Sequence, residues 1–408
     1  MGTDTGEMLS FGEARSRVLS DVRLVSSERI PLAEGAGRVL AEDLVARTPL
    51  PRFDNSAMDG YAVATGDLEG AGPFELAVVG ESSAGRDAPW LTRHTACRIF
   101  TGAPMPERAD AVVMQENVTR VGPAIRFAGR PKPGQNVRRA GEDLALDAVA
   151  IATGTRISAG GLALAAMLDR AELVVARRPR VTILCTGDEL RGPGDDARPS
   201  SIPESNSAPL AALARQAGAV VRVAPLARDD ARATQRAIEQ ALDGTDVLLT
   251  VGGVSVGDHD VVRPALERAG VMLDFWRVAI KPGKPLAVGR GPGAVHVLGL
   301  PGNPASAIVT FAVFGAPLLR AMQHDARPVA MPLRARLGAT RKRSPDRLEL
   351  VRAMLQLDGG TLGARVHDNQ SSGAATSLAH SDGVAFVPPG DAAIEAGTFV
   401  DFLRWSDA

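Results

Sequence analysis

At 408 residues the chain is too long for one ordinary hydrophobic core and is expected to divide into about two to four domains, and its 45% hydrophobic and 23% charged composition is that of a folded globular protein. With 46 basic against 47 acidic residues there is no global field to attract nucleic acid or an anionic membrane, so any anion site must be local. Aromatic residues are 4% of the chain with one tyrosine, Tyr61, which argues against base-stacking platforms, and Cys97 and Cys185 lack the spacing of a disulfide framework or a zinc site.

The N-terminus, MGTDTGEMLSFGEARSR, has no apolar signal core, and we read no run of about 18 apolar residues; a cytoplasmic location is expected. Residues 8–47 read as helical. Ser10 can cap a segment in which Glu13 completes the capping box, Leu19, Val22 and Val25 recur at helical spacing, and a second helical phase runs over about 34–46. From Pro49 short β-like runs follow, FELAVVG, CRIFTG, DAVVMQE and AIRFAG, separated by some of the 43 glycines and 28 prolines. They form a β-rich unit inserted into a helical one that resumes near Ile157 with AGGLALAAML.

After residue 179 the pattern alternates. VTILCTG, AVVRVAPL, TDVLLTVGG, FWRVAI and AVHVLGL read as strands; SAPLAALARQAG, ARATQRAIEQAL, DVVRPALERAG and PASAIVTFAVFGAPLLRAM read as helices. Continuous apolar strands alternating with helices predict a parallel sheet covered on both faces. From Pro328 the runs MPLRARLGAT, LELVRAML, VAFVPPG and TFVDFLRW predict a small C-terminal β-barrel or sandwich. The expected division is 1–50 plus 145–178 (helical), 51–144 (β-rich), 179–326 (α/β) and 327–408 (β-barrel).

In an open parallel sheet, ligands bind beyond the carboxyl ends of the strands. Four loops there carry unusual chemistry. TGDEL places Asp188 and Glu189 directly after a buried strand, and VGGVSVGDHD combines Gly252 and Gly253, which allow close amide approach to an anion, with Ser255, Asp258 and Asp260. KPGKP holds Lys281 and Lys284 on a proline-stiffened loop, and LPGNPASA leads through Pro301 and Pro304 into a helix start at Ser306. Each loop also has an ordinary structural reading: a turn, a solvated loop or a helix cap. Together, cations beside carboxylates at one sheet edge fit a phosphate-containing anion with a hard divalent cation such as Mg²⁺. The stretch PRFDNSAMDGYAV, residues 51–63, is read first as a turn, because Asn, Asp, Ser and Gly favour tight bends.

PRFDNSAMDGYAV, TGAPMPERADAVVMQE, AGED, CTGDEL, VGGVSVGDHD, FWRVAIKPGKP and GLPGNPASA, in this order, resemble the successive motifs of the MoeA/gephyrin family, the molybdopterin molybdenumtransferases. The resemblance spans roughly residues 8–405. It implies a multidomain α/β protein with a three-layer molybdopterin-binding domain, a helical domain, an inserted β-rich domain and a C-terminal β-barrel. It implies an elongated homodimer whose cleft joins the α/β domain of one subunit to the β-rich domain of the other.

The implied activity inserts molybdate into adenylylated molybdopterin with Mg²⁺-dependent hydrolysis and release of AMP, the final step of molybdenum cofactor biosynthesis. The resemblance assigns catalytic positions to Asp59, Thr101, Asp143, Glu189, Asp229 and Asp260. Lys281, Lys284, Ser306, Arg352 and Ser372 resemble positions that contact molybdate or lie beside it, with Pro301 and Pro304 shaping the turn between them; on the reading of the strand-end loops given above, Gly252, Gly253 and Ser255 join the substrate contacts, and Asp188, Glu189, Asp258 and Asp260 organise Mg²⁺. The implied partners are molybdopterin adenylyltransferase and apo-molybdoenzymes or their chaperones, with no nucleic acid and no membrane. Departures from the family pattern are Arg277 for a frequent lysine, His259 for a common tyrosine, and a leucine in LELVRA where an aromatic is frequent. The rival readings are a molybdopterin adenylyltransferase, which lacks the flanking domains, and a non-catalytic scaffold of the same fold.

Overall fold

The computed structural model describes residues 8–253 and 261–408, the side chains of Phe275 and Trp276 excepted. Its centre is a seven-stranded sheet in the order Met8–Leu9, Met272–Val278, Pro285–Arg290, His296–Leu300, Val247–Val251, Arg180–Cys185 and Val220–Val223. The last four are mutually parallel, as the apolar runs predict. Pro285–Arg290 is antiparallel to both neighbours, so the sheet is mixed rather than wholly parallel. The reason is chain length: residues 279–284 and 291–295 are too few for a parallel crossover, which takes about a dozen residues or more.

Both faces of the sheet are buried. Ile183, Leu249 and Leu298 point to one cluster with Phe311, Phe314 and Leu318, while Leu184, Leu248 and Val297 point to another with Ile238 and Leu266. This two-sided burial is why the strands read as continuous apolar runs. Helix Pro304–Met322 is long and apolar enough by length and composition to cross a bilayer, a segment the reading of apolar runs passed over. Here 83% of its apolar window is buried inside the protein, so its composition is that of a core helix.

The N-terminal region departs most from expectation. Helix Phe11–Ser20 forms with the capping box of Ser10 and Glu13, but it ends at Ser20, and Ala14 and Val18 pack into the α/β core. The helical phase expected over 34–46 is absent. Its residues form a strand pairing (Leu44–Val45 with Val149–Ile151) and bridges such as Leu40 to Val175, next to the longer pair Ser27–Pro31 with Glu172–Ala176. Leu40, Leu44 and Ala46 bury in this small β unit together with residues from helix Ala159–Met167. Cross-strand pairing with residues distant in sequence overrides a weak helical period.

The inserted unit is a six-stranded sheet, Ala111–Met114, Gly60–Val63, Thr95–Ile99, Phe74–Ser82, Ala124–Phe127 and Thr119–Val121, around Tyr61, Phe74, Ile125 and Phe127. At the C-terminal end, Leu348–Asp358, Thr361–Val366, Leu333–Leu337, Phe399–Arg404 and Gly383–Val387 close into a five-stranded barrel, since the last pairs back to the first. A short strand, Ile280–Lys281, joins the outside of this barrel in parallel register with Leu348 and Glu349.

The N-terminal β unit is tied to the α/β sheet by Arg177, whose guanidinium bonds both oxygens of Asp246 at 2.6 and 2.8 Å. Burial alone would raise the Asp246 carboxyl, but the hydrogen bonds from Arg177 and Arg180 outweigh it and hold the group down to about 2. A carboxyl lowered by folding stabilises the native state above its ordinary value, and that contribution fades as the pH falls through the folded value. We therefore expect Asp246→Asn to cost about 2 kcal/mol at pH 7. Denaturant unfolding of both proteins between pH 7 and pH 3 checks this: the gap between them should narrow as the pH falls.

Candidate functional site

The carboxyl ends of the parallel strands are laced into one floor. Thr186 N donates to Val251 O at 3.1 Å, Gly187 N to Ala227 O at 3.2 Å, and Gly252 N to Leu300 O at 3.2 Å. Gly252 has φ +94°, and a Cβ there would sit 2.8 Å from the Thr186 carbonyl oxygen. Only glycine fits both the conformation and the space, which accounts for the first glycine of VGG. Asn206 reaches across from the start of helix Ser207–Gln216 and donates to Gly302 O at 2.8 Å, fixing the Pro301–Pro304 turn.

Beneath it lies Glu204, a buried carboxylate. It accepts from Ser207 N at 2.9 Å and from Asn206 N and Ser207 Oγ, and so supplies the cap that the Asn206 side chain does not. Burial pushes this carboxyl up, yet these hydrogen bonds outweigh it and hold it below the usual range. Neither residue was singled out from sequence; the signal available was an acid three residues before a serine at a helix start.

The expected acids are only partly brought together. Asp188 and Asp229 are exposed and reciprocally joined: Asp188 N donates to Asp229 Oδ2 at 3.3 Å, and Asp229 N to Asp188 Oδ1 at 3.2 Å. Glu189 is exposed, its carboxylate folded against Gly187. Among the described residues no group of three or more acids, histidines or cysteines is placed to hold a metal ion. Ser255, Asp258 and Asp260 lie outside the described residues, while Gly253 closes the described part of its loop.

Cationic residues flank the other side of the turn. Lys281 Nζ lies 3.0 Å from Glu349 Oε1, whereas Lys284 is exposed, with no hydrogen bond or ion pair from its ammonium among the described residues. Ser306 is buried in the helix start, and Ser372 O accepts from Ala305 N at 3.2 Å, which brings the barrel loop 369–373 onto the Pro301–Pro304 turn. Arg352 is fully buried. Its guanidinium donates to Ser377 Oγ at 2.7 Å and to the carbonyls of Asn369 and Ser371 at 3.2 and 2.9 Å, leaving Nη1 buried without a partner among the described residues. Arg352 thus shapes the loop that meets the site rather than presenting an open cation.

A second cluster forms in the inserted unit. The turn reading of PRFDNSAMDG holds only in part: the segment bends on either side of a two-residue strand, Asn55–Ser56, paired with Val137–Arg138, with Asn55 Nδ2 donating to Phe53 O at 3.1 Å and Ser56 Oγ accepting from Met58 N at 3.3 Å. The Asp59 carboxylate takes no part in that turn. It accepts from Thr101 N at 2.8 Å and Thr101 Oγ1 at 2.9 Å, and these bonds, the backbone one foremost, lower the carboxyl below its ordinary value. Asp54 pairs with Arg139 at 2.6 Å, and Asp143 N donates to Leu50 O at 3.0 Å, so residues 50–59, 101–105 and 139–143 form one surface. Among the described residues no hydrogen bond or ion pair connects this surface to the strand-end floor.

Three family models match the chain: "MoeA N-terminal region (domain I and II)" over residues 9–168, "Probable molybdopterin binding domain" over 182–321, and "MoeA C-terminal region (domain IV)" over 334–405. The molybdopterin molybdenumtransferase of Haemophilus influenzae is 39% identical over 320 residues, 78% of each chain. Molybdopterin molybdenumtransferase 2 of Mycobacterium tuberculosis is 36% identical over 400 residues, 96% of this chain and 98% of that one. The crystal structure of a molybdopterin biosynthesis MoeA protein from Pyrococcus horikoshii superposes with a TM-score of 0.84 at 28% identity, covering 97% of this chain and 99% of that one.

Thr101→Val removes the hydroxyl bond to Asp59 and keeps the backbone one. The Asp59 carboxyl should then rise toward its ordinary value without loss of fold, as read by carboxyl chemical shifts in an NMR pH titration.

Proposed function

The chain belongs to the MoeA family, the molybdopterin molybdenumtransferases, and from that premise we propose that it inserts molybdate into adenylylated molybdopterin, releasing AMP. It is a transferase with a role in molybdenum cofactor biosynthesis. The observation that best supports the finer reading is the meeting of three loops at one sheet edge. The Lys281–Lys284 loop, the Pro301–Pro304 turn and the barrel loop that carries Ser372 all border the floor from which Asp188, Glu189 and Asp229 project.

In this reading Lys281 and Lys284 hold the molybdate dianion, with Ser306 and Ser372 bordering it and Arg352 holding the barrel loop in place. Gly252, whose own amide is bonded to Leu300 O, keeps the strand end free of a side chain, Gly253 gives the substrate close approach to the backbone, and Pro301 and Pro304 stiffen the turn. Mg²⁺ takes oxygen ligands and usually needs only one or two carboxylates besides substrate phosphates and water, so Asp188, Glu189 and Asp229 fit it. When bound, it would supply charge neutralisation at the phosphoanhydride.

Asp59 is held ionised by Thr101, and a carboxyl so lowered is a poor proton acceptor near neutral pH. Its role is then to orient a water or substrate hydroxyl through a hydrogen bond, with Asp143 on the same surface. Since no hydrogen bond or ion pair among the described residues ties this surface to the strand-end floor, the reading takes a homodimer in which each site combines the floor of one subunit with the Asp59 surface of the other.

Incubation with adenylylated molybdopterin, Mg²⁺ and molybdate should release AMP and yield cofactor that reconstitutes an apo-molybdoenzyme; no AMP release would refute the reading. Asp59→Asn should slow single-turnover AMP release about a hundredfold. Mixing Asp59→Asn subunits with Glu189→Gln subunits, each nearly inactive alone, should restore about a quarter of wild-type activity if the site is shared. No recovery after subunit exchange would place the site within one chain.

A further inference from the structure

Resting on the reading that Lys281 binds the oxyanion, we propose that Glu349 is a positioning residue for the reaction, holding the Lys281 ammonium in its binding pose. The two lysines of KPGKP look equivalent in sequence but are held differently. Lys281 is the Cα partner of Glu349 in the parallel pairing of Ile280–Lys281 with Leu348–Glu349. The Glu349 carboxylate has one oxygen 3.0 Å from Lys281 Nζ and the other 3.3 Å from Arg341 Nη2. Its side chain is 6% exposed while that of Lys281 is 55% exposed, so the anchor is buried and the cation it holds faces outward.

A carboxylate this far from water persists only where cations pair with it, and two do so here. Arg341 fixes one oxygen, so the other is presented to Lys281 in a set direction. An ammonium has three donors; one goes to Glu349 and two remain for a ligand oxygen. The lysine stem loses rotamer entropy when it is immobilised, and holding it beforehand removes much of that cost from anion binding. The backbone is equally constrained: Val278 N donates to Lys284 O at 2.9 Å across the loop, and Gly283, at φ +100°, lies so close to Thr310 that a Cβ would meet its hydroxyl at 2.3 Å. One carboxylate against Lys281 and Arg341 leaves a net positive charge, so the anchor orients the lysine without cancelling the attraction for an anion.

The test is a double-mutant cycle in the full-length protein with adenylylated molybdopterin, Mg²⁺ and varied molybdate. Glu349→Gln should raise the half-saturating molybdate concentration about tenfold while leaving maximal AMP release nearly unchanged. Lys281→Ala should raise it at least as much, and the double variant no further than Lys281→Ala alone. Losses that multiply in the double variant would show that Glu349 acts on the fold and not through Lys281, as would an unchanged half-saturation in Glu349→Gln. An unchanged half-saturation in Lys281→Ala would instead overturn the oxyanion reading, and the positioning role with it. Should Glu349→Gln fail to fold, Glu349→Asp, which keeps the charge but shortens the reach, carries the same cycle.

Discussion

The arrangement of the site depends on one constraint of chain length. Residues 279–284 are too few to cross a sheet, so Met272–Val278 and Pro285–Arg290 must run antiparallel. The turn between them therefore falls at the sheet edge and carries Lys281 and Lys284 with it. That same turn extends far enough for Ile280–Lys281 to pair with the barrel strand beginning at Leu348. A single short connection thus places cations and joins two units.

Around that turn, charge is distributed by backbone hydrogen bonding as much as by ion pairs. Glu204 is spent on the amides of Asn206 and Ser207 and caps a helix, while Asp188 and Asp229 accept each other's amides and stay exposed. Asp59 is held ionised by Thr101 on a different unit. Four carboxylates that look alike in composition thus differ in what remains available for a ligand. Arg352 shows the converse: a cation at a position the family resemblance places beside the anion is fully buried, and its influence passes through the 369–371 carbonyls it binds.

Much of the fold was legible in the sequence, for identifiable reasons. The central strands Arg180–Cys185, Val247–Val251 and His296–Leu300 are buried on both faces and show as apolar runs, and the capping box of Ser10 and Glu13 is a local device that needs no tertiary context. Segment 34–46 was misread because its apolar residues bury against strands more than a hundred residues away, and pairing at that distance leaves no local period. Helix Pro304–Met322 was recognised as a helix, but its membrane-like composition acquires its meaning only from the sheet and barrel packed over it.

By itself the sequence determined the family, the order of its motifs, the glycine at 252 and the charges at the strand ends. These are properties of residue type and short-range spacing: a positive φ, a proline-stiffened turn or an acid after a buried strand is written locally. Only the tertiary structure decided which charges meet. It paired Lys281 with Glu349, Asp188 with Asp229 and Asp59 with Thr101, buried Arg352, and set the Asp59 surface apart from the strand-end floor. Such partnerships join residues about 40 to 70 positions apart, and they arise from strand register and loop packing, which no single stretch of sequence encodes.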